Sequence, residues 1–170
     1  NTQRGLSFAR VMTPASAKTP FDAFDWEFRK ASITDDKGKV IFVQDNVEVP
    51  KTWSMLATNI VASKYFYGGM KTTFRENSVR QLVHRVARTI ADWGIQDGYF
   101  ATPQDAENFY DDLATICVGQ YGSFNSPVWF NVGLHQQYGL TSDSRTSFHW
   151  NAKAGRIERV TDSYKCPQGS

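Results

Sequence analysis

The chain has 170 residues, of which 41% are hydrophobic and 14% aromatic, a size and composition that suit one domain, or one domain plus an arm, and exclude a disordered segment. Nineteen basic residues against seventeen acidic ones leave a net charge of +2, which gives no electrostatic footprint for nucleic acid or a membrane surface. Two cysteines, Cys117 and Cys166, with no CxxC and no Cys/His cluster, exclude a disulfide framework and a structural zinc site, and make a reducing cytoplasm the simpler location. No apolar run approaches the ~20 residues of a membrane helix, and no signal-peptide pattern opens the chain. Asn1 in place of Met fits a processed or trimmed start.

Residues 1–20 read as a flexible arm, because Pro14, Pro20 and several Ser and Thr break any period. Phe24, Trp26 and Phe28 alternate with charged residues, Asp35-Asp36-Lys37-Gly38-Lys39 supplies a turn, and Val40-Ile41-Phe42-Val43 is β-branched and apolar. Together they predict a β-hairpin over about residues 25–44, with Pro50 punctuating its exit. A first helix starts near Thr52, with Trp53, Leu56, Ala57, Ile60, Val61 and Tyr65 on one face, and stops at Gly68 and Gly69. A second is capped by Asn77 or Ser78, and Val79, Leu82, Val83, Val86, Ala87, Ile90 and Trp93 recur at helical spacing before Gly94. Its other face carries Arg80, His84, Arg85 and Arg88, the pattern of a solvated face or of a phosphate contact. A third helix has Thr102 as cap, Pro103 in first position and Asp105 in the first turn, with Phe109, Tyr110, Leu113, Ile116 and Cys117 as the buried stripe.

After Tyr121 the pattern changes. Phe124-Asn125-Ser126-Pro127-Val128-Trp129-Phe130-Asn131-Val132-Gly133 is apolar but interrupted by Asn, Ser, Pro and Gly, and fits neither a regular helix nor a strand. Such a segment is either a buried turn or a loop presenting several donors to an anion. Residues 141–165 are polar, with a weak hairpin signal around Ala154-Gly155-Arg156. His135 and His149 have no acidic or Cys ligands nearby in sequence, so no metal site is expected. Ser126 lacks the frame of a hydrolase nucleophile. Cys117 reads as a core residue and Cys166 as an idle exposed thiol.

The segment from Phe124 to Gly133 resembles the signature of vitamin B12-dependent, class II ribonucleotide reductases. The blocks Pro20 to Glu27, Val47 to Ser54, Ala57 to Phe66, Ser78 to Leu82 and Asp97 to Thr102 resemble the same family in the same order, and Pro167-Gln168-Gly169-Ser170 adds a further match. The resemblance implies an enzyme, a radical oxidoreductase that converts ribonucleoside di- or triphosphates to deoxyribonucleotides for DNA replication. Its cofactor is adenosylcobalamin, whose cobalt–carbon homolysis leads to a cysteine thiyl radical. The implied fold is mostly α with a small amino-terminal β-hairpin (α+β), the cap and entry segment of the family's ten-stranded α/β barrel. On that reading residues 1–20 are the arm, 21–122 a helical domain with the hairpin, and 123–170 the start of the barrel. The Ser of the signature maps to Ser126, which with Asn125 and Pro127 would hold the ribose-phosphate end of the substrate, as hydroxyl and backbone donors can.

The same resemblance puts the catalytic cysteines after residue 170. The expectation is therefore a chain with no catalytic residue of its own, inactive without the remainder of the reductase. The implied partners are that remainder, the ribonucleotide, ATP or deoxynucleotide effectors, a thiol reductant such as thioredoxin, and a homodimer mate. Two alternatives stay open: a free-standing helical interaction module that uses the Arg80, Arg85 and Arg88 face, and the equivalent region of a class I reductase.

Overall fold

In the computed structural model, which describes residues 5–72, 74–141 and 147–160, the alternating aromatic segment forms strand β1 (Trp26–Thr34). It pairs antiparallel with β2 (Val40–Pro50), from Trp26 opposite Pro50 to Thr34 opposite Val40. Asp35 closes the turn, its Oδ1 accepting from the amides of Lys37 at 3.0 Å and Lys39 at 2.8 Å. β2 runs past the expected end near residue 44. The register shifts between Arg29 and Ala31, and Asn46 takes φ 56°, a left-handed conformation Asn tolerates. This bulge lets the strand continue, so that Val47, Val49 and Pro50 reach the core.

The first helix departs from its expected form. Helix α1 (Met55–Ile60), capped by Ser54 Oγ accepting from the Ala57 amide at 3.0 Å, gives way to a π turn at Val61–Tyr65. The Phe66 amide donates to Val61 O at 3.1 Å, five residues back. The wider turn changes the phase of the side chains. Leu56 is 69% exposed and Ile60 43%, while Thr58, Val61 and Ala62 are buried. Arg29 helps to draw Thr58 inward, donating from Nη1 to its Oγ1 at 3.0 Å and to Trp53 O at 2.6 Å.

Helix α2 (Val79–Gln96) opens on a capping box between Ser78 and Gln81, as its sequence requires. Val79, Leu82, Val83, Val86 and Ala87 form its buried stripe. It continues two residues beyond Gly94, whose missing Cβ makes room for the Phe100 ring; a Cβ there would lie 2.5 Å from Phe100 Cε2. Helix α3 (Pro103–Val118) is capped by Thr102, whose Oγ1 accepts from the Asp105 amide at 3.2 Å, and it packs against α2, with Tyr110, Ala114, Cys117 and Val118 in the core.

The segment expected to be irregular contains a short helix, α4 (Ser126–Asn131), followed by α5 (Leu134–Tyr138). The hairpin expected near residue 155 is β3 (Ser147–Asn151) paired with β4 (Arg156–Val160), with Gly155 at φ 63° in its turn. The described residues thus form helices with two small antiparallel sheets, an α+β arrangement. No helix among them is long and apolar enough to cross a membrane. Cys166 and the Pro167-Gln168-Gly169-Ser170 stretch lie outside the described residues.

The part of the expected flexible arm that is described lies as a strap along α3. The Phe8 amide donates to Asp105 Oδ1 at 2.7 Å, and those of Val11 and Thr13 to Asp112 at 2.7 and 2.9 Å. Thr13 is buried with its hydroxyl 2.7 Å from that of Thr115, and Phe8 packs edge-on against Phe100 and Phe109. The strap shows no period because most of its described backbone bonds go to side chains of α3 and to the backbone of residues 99 and 101, and few to its own residues. At Asp105 the Thr102 hydroxyl and Phe8 amide hold the carboxyl below the ordinary 3.8; at Asp112 burial pushes upward, but the amides of Val11, Met12 and Thr13 outweigh it. A carboxyl lowered on folding stabilises above its ordinary pKa, and that contribution is lost as pH falls through the lowered value. Hydrogen exchange should therefore find the Phe8, Val11 and Thr13 amides protected at neutral pH and losing protection progressively below pH 3.8. Asp112→Asn should weaken the Val11 and Thr13 amides already at neutral pH and leave the β1–β2 amides unchanged.

Candidate functional site

The three residues singled out by sequence sit together at the start of α4. Asn125 is the cap, exposed, its carbonyl accepting from the Val128 and Trp129 amides at 3.2 and 3.4 Å. Ser126 is the first helical residue and half-buried, its Oγ 3.1 Å from the Tyr65 hydroxyl. Pro127 follows where a missing N–H costs nothing, and its carbonyl accepts from Asn131 Nδ2 at 2.9 Å. Six residues are too few to hold a helix by backbone bonds alone. The segment is fixed instead by contacts along and beyond it.

Trp129 is buried, its Nε1 donating to Ser123 Oγ at 3.2 Å and its ring edge-on to Phe124 at 5.5 Å. It lines an apolar cleft of about 410 Å³ together with Trp53, Ala57, Leu82, Cys117 and Phe124. The carboxyl end of α4 is held by Arg85. This side chain has 0% exposure, donating from Nη2 to Trp129 O at 2.9 Å and from Nη1 to Val132 O at 2.5 Å. A cation at the last carbonyls of a helix meets the negative end of its dipole. Its Nε donates to Glu76 Oε1 at 2.8 Å, and Glu76 is equally buried. Glu76 also accepts from the Tyr138 hydroxyl at 2.7 Å and the Tyr67 amide at 2.7 Å. Burial and this carboxylate push the Tyr138 phenol well above its ordinary pKa, so it stays a donor. Gly133, at φ 84°, lies so close to α2 that a Cβ would stand 2.4 Å from Arg85 O and 2.8 Å from Thr89 Oγ1.

The expected solvated basic face is corrected accordingly. Arg85 belongs to the interior because it neutralises Glu76 and caps α4. Arg80 pairs with Glu48 and lies 4.0 Å over the Trp26 ring, and Arg88 pairs with Asp92 and Glu107. His84 is on the outside, with Nδ1 2.7 Å from the Tyr110 hydroxyl. Sequence reasoning missed Tyr65, Glu76 and Arg85 as supports of the segment. One available signal was that Arg85 follows Leu82 by three residues and precedes Thr89 by four, so it borders the apolar stripe.

Cys117 is buried in the core, where desolvation raises its thiol to about 11 and keeps it protonated. Among the described residues no group of three His, Cys, Asp or Glu side chains could hold a metal ion. His135 Nδ1 lies 2.9 Å from Leu140 O.

Residues 27–120 match a family model described as class II vitamin B12-dependent ribonucleotide reductase. A protein named vitamin B12-dependent ribonucleotide reductase from Rhodopirellula baltica is 51% identical over 98% of this chain, and one of the same name from Streptomyces coelicolor is 46% identical over 78%. A third of that name, from Bradyrhizobium diazoefficiens, is 28% identical over 90%. The chain spans only 16%, 14% and 15% of these relatives' lengths.

Chemical denaturation should resolve the anchor. Removing one member of a buried ion pair leaves an uncompensated charge and typically costs about 3–5 kcal/mol, whereas replacing both is far milder. Arg85→Met should destabilise by that amount, and the double variant Arg85→Met/Glu76→Leu should recover part of the loss. Gly133→Ala should cost more than about 1 kcal/mol, because it adds a Cβ at positive φ against backbone.

Proposed function

Because the chain belongs to the class II vitamin B12-dependent ribonucleotide reductases, whose family model spans residues 27–120, we propose that it is the amino-terminal part of an enzyme that reduces ribonucleoside di- or triphosphates. In this reading Ser126, with Asn125 and Pro127, holds the ribose-phosphate end of the substrate. The observation that supports it is the way the segment is held. Tyr65 meets its start and Arg85 its end, while Asn125 stays exposed and the Ser126 hydroxyl hydrogen-bonds to no described group besides Tyr65. A hydroxyl fixed in this way can donate to a phosphate oxygen without being ordered at the moment of binding.

Adenosylcobalamin supplies the radical that starts the reaction in the proposed whole enzyme. A cobalamin would be larger than the apolar cleft of about 410 Å³ beside the segment. No residue of this chain is therefore assigned to the cofactor. The catalytic cysteines belong to the remainder of the polypeptide, consistent with a Cys117 thiol that burial keeps protonated. Residues 21–122 act as the supporting helical domain with its hairpin, and residues from 123 onward enter the barrel, for which this region is the cap. The remaining partners are nucleotide effectors, a thiol reductant of the thioredoxin kind and a second protomer. A free-standing module reading through a basic face is less well supported, since Arg85 is interior and Arg80 and Arg88 are already paired.

Steady-state kinetics of the complete reductase test the assignment. A hydrogen bond to a charged group contributes about 1.5–3 kcal/mol. Ser126→Ala should raise KM for the ribonucleotide about tenfold or more and change kcat far less, the pattern expected when ground state and transition state lose the same contact. An unchanged KM would remove Ser126 from the substrate site.

A further inference from the structure

We propose that Tyr65 is a positioning residue for substrate binding: its phenol donates to Ser126 Oγ and thereby commits the serine's single proton to the substrate phosphate. The inference rests on the reading of Ser126 given above and names the group that makes that serine a donor.

The two hydroxyl oxygens are 3.1 Å apart, and geometry alone allows either to donate. Chemistry selects one direction. Ser126 has one O–H, and phosphate oxygens at neutral pH only accept. If Ser126 donated to Tyr65, it would present lone pairs to an anion. If Tyr65 donates, the Ser126 proton is free to point outward, and a phenol is the more acidic and better donor of the two. The resulting chain, from phenol to serine to phosphate, polarises in one sense, and each bond strengthens the next. Among the described residues neither hydroxyl makes another hydrogen bond, so nothing competes for either proton.

The placement of Tyr65 is built into the fold. It is the last residue of the π turn Val61–Tyr65, an irregularity that changes the direction of its side chain relative to a continuous helix. Arg75 clasps the turn, donating to Ala62 O at 2.5 Å, Phe66 O at 2.6 Å and Gly68 O at 2.7 Å. The Tyr65 ring stacks on Phe130 of α4, with centroids 5.3 Å apart and planes at 20°. The phenol is thus fixed from its own backbone and from the helix whose first residue it contacts. A purely packing role would be met by Phe, and only the hydroxyl distinguishes the two readings.

The test is a double-mutant cycle in the complete reductase, with CDP and CTP each titrated as substrate. Tyr65→Phe keeps the ring and its stacking and removes only the donor. It should raise KM about three- to tenfold, the worth of one neutral hydrogen bond, with kcat nearly unchanged and the melting temperature close to wild type. In the Ser126→Ala background it should have no further effect, because the group it orients is gone. Independent, multiplicative effects of the two substitutions would overturn the proposal, as would a Tyr65→Phe enzyme with wild-type KM beside a Ser126→Ala enzyme with a raised one. A wild-type KM in Ser126→Ala itself would instead refute the substrate reading on which the proposal stands.

Discussion

The arrangement depends on one buried ion pair. Arg85 and Glu76 are both fully excluded from solvent, and removing two such charges from water costs several kcal/mol each before any partner is found. The cost is offset only where the donors and acceptors are filled, and here the filling groups come from different parts of the chain. The guanidinium takes the Trp129 and Val132 carbonyls; the carboxylate takes the Tyr138 hydroxyl and the Tyr67 amide. The loop before α2, the middle of α2, the end of α4 and the end of α5 are therefore joined at one point. Gly133 completes the junction, since only a residue without Cβ allows this approach to Arg85 O.

This junction explains how a six-residue helix can be held in a fixed position. α4 has too few backbone bonds to persist alone, so its position is set from outside. Arg85 holds the carbonyl end, Trp129 is buried along its length, and Tyr65 with Phe130 holds the amino end. Ser126 is consequently placed by the core and not by a loose loop. The support behind it is rigid in the same sense: α2 is fixed by its cap and apolar stripe, and α3 is fixed on its outer side by the strap through Asp105 and Asp112.

Much of this was readable from residues. Alternation located β1, and the Ser78 and Thr102 caps located the starts of α2 and α3, because these signals are local and the structure does not override them. The departures have non-local causes. The extension of β2 depends on a bulge at Asn46, which no alternation rule contains. The π turn at Val61–Tyr65 breaks a stripe that looked continuous, and Leu56 and Ile60 of the preceding helix are exposed. Arg85 looked solvated because charge is normally a surface signal, and its partner Glu76 lies in the loop before the helix, off the helical pattern. The segment from Phe124 to Gly133 was legible as a family signature but not as a structure, since its helix is stabilised by distant side chains. The strap's contacts with α3 were likewise hidden, because its hydrogen-bond partners there are about 100 residues away in sequence.

The most direct measurement is a crystal structure of the complete reductase with its ribonucleotide bound. A phosphate oxygen should lie within hydrogen-bonding distance of Ser126 Oγ, with the Tyr65 hydroxyl still on the far side of that oxygen and α4 still ending on a buried Arg85. A phosphate bound elsewhere, or an α4 released from Arg85 with Ser126 turned away from the substrate, would contradict this placement.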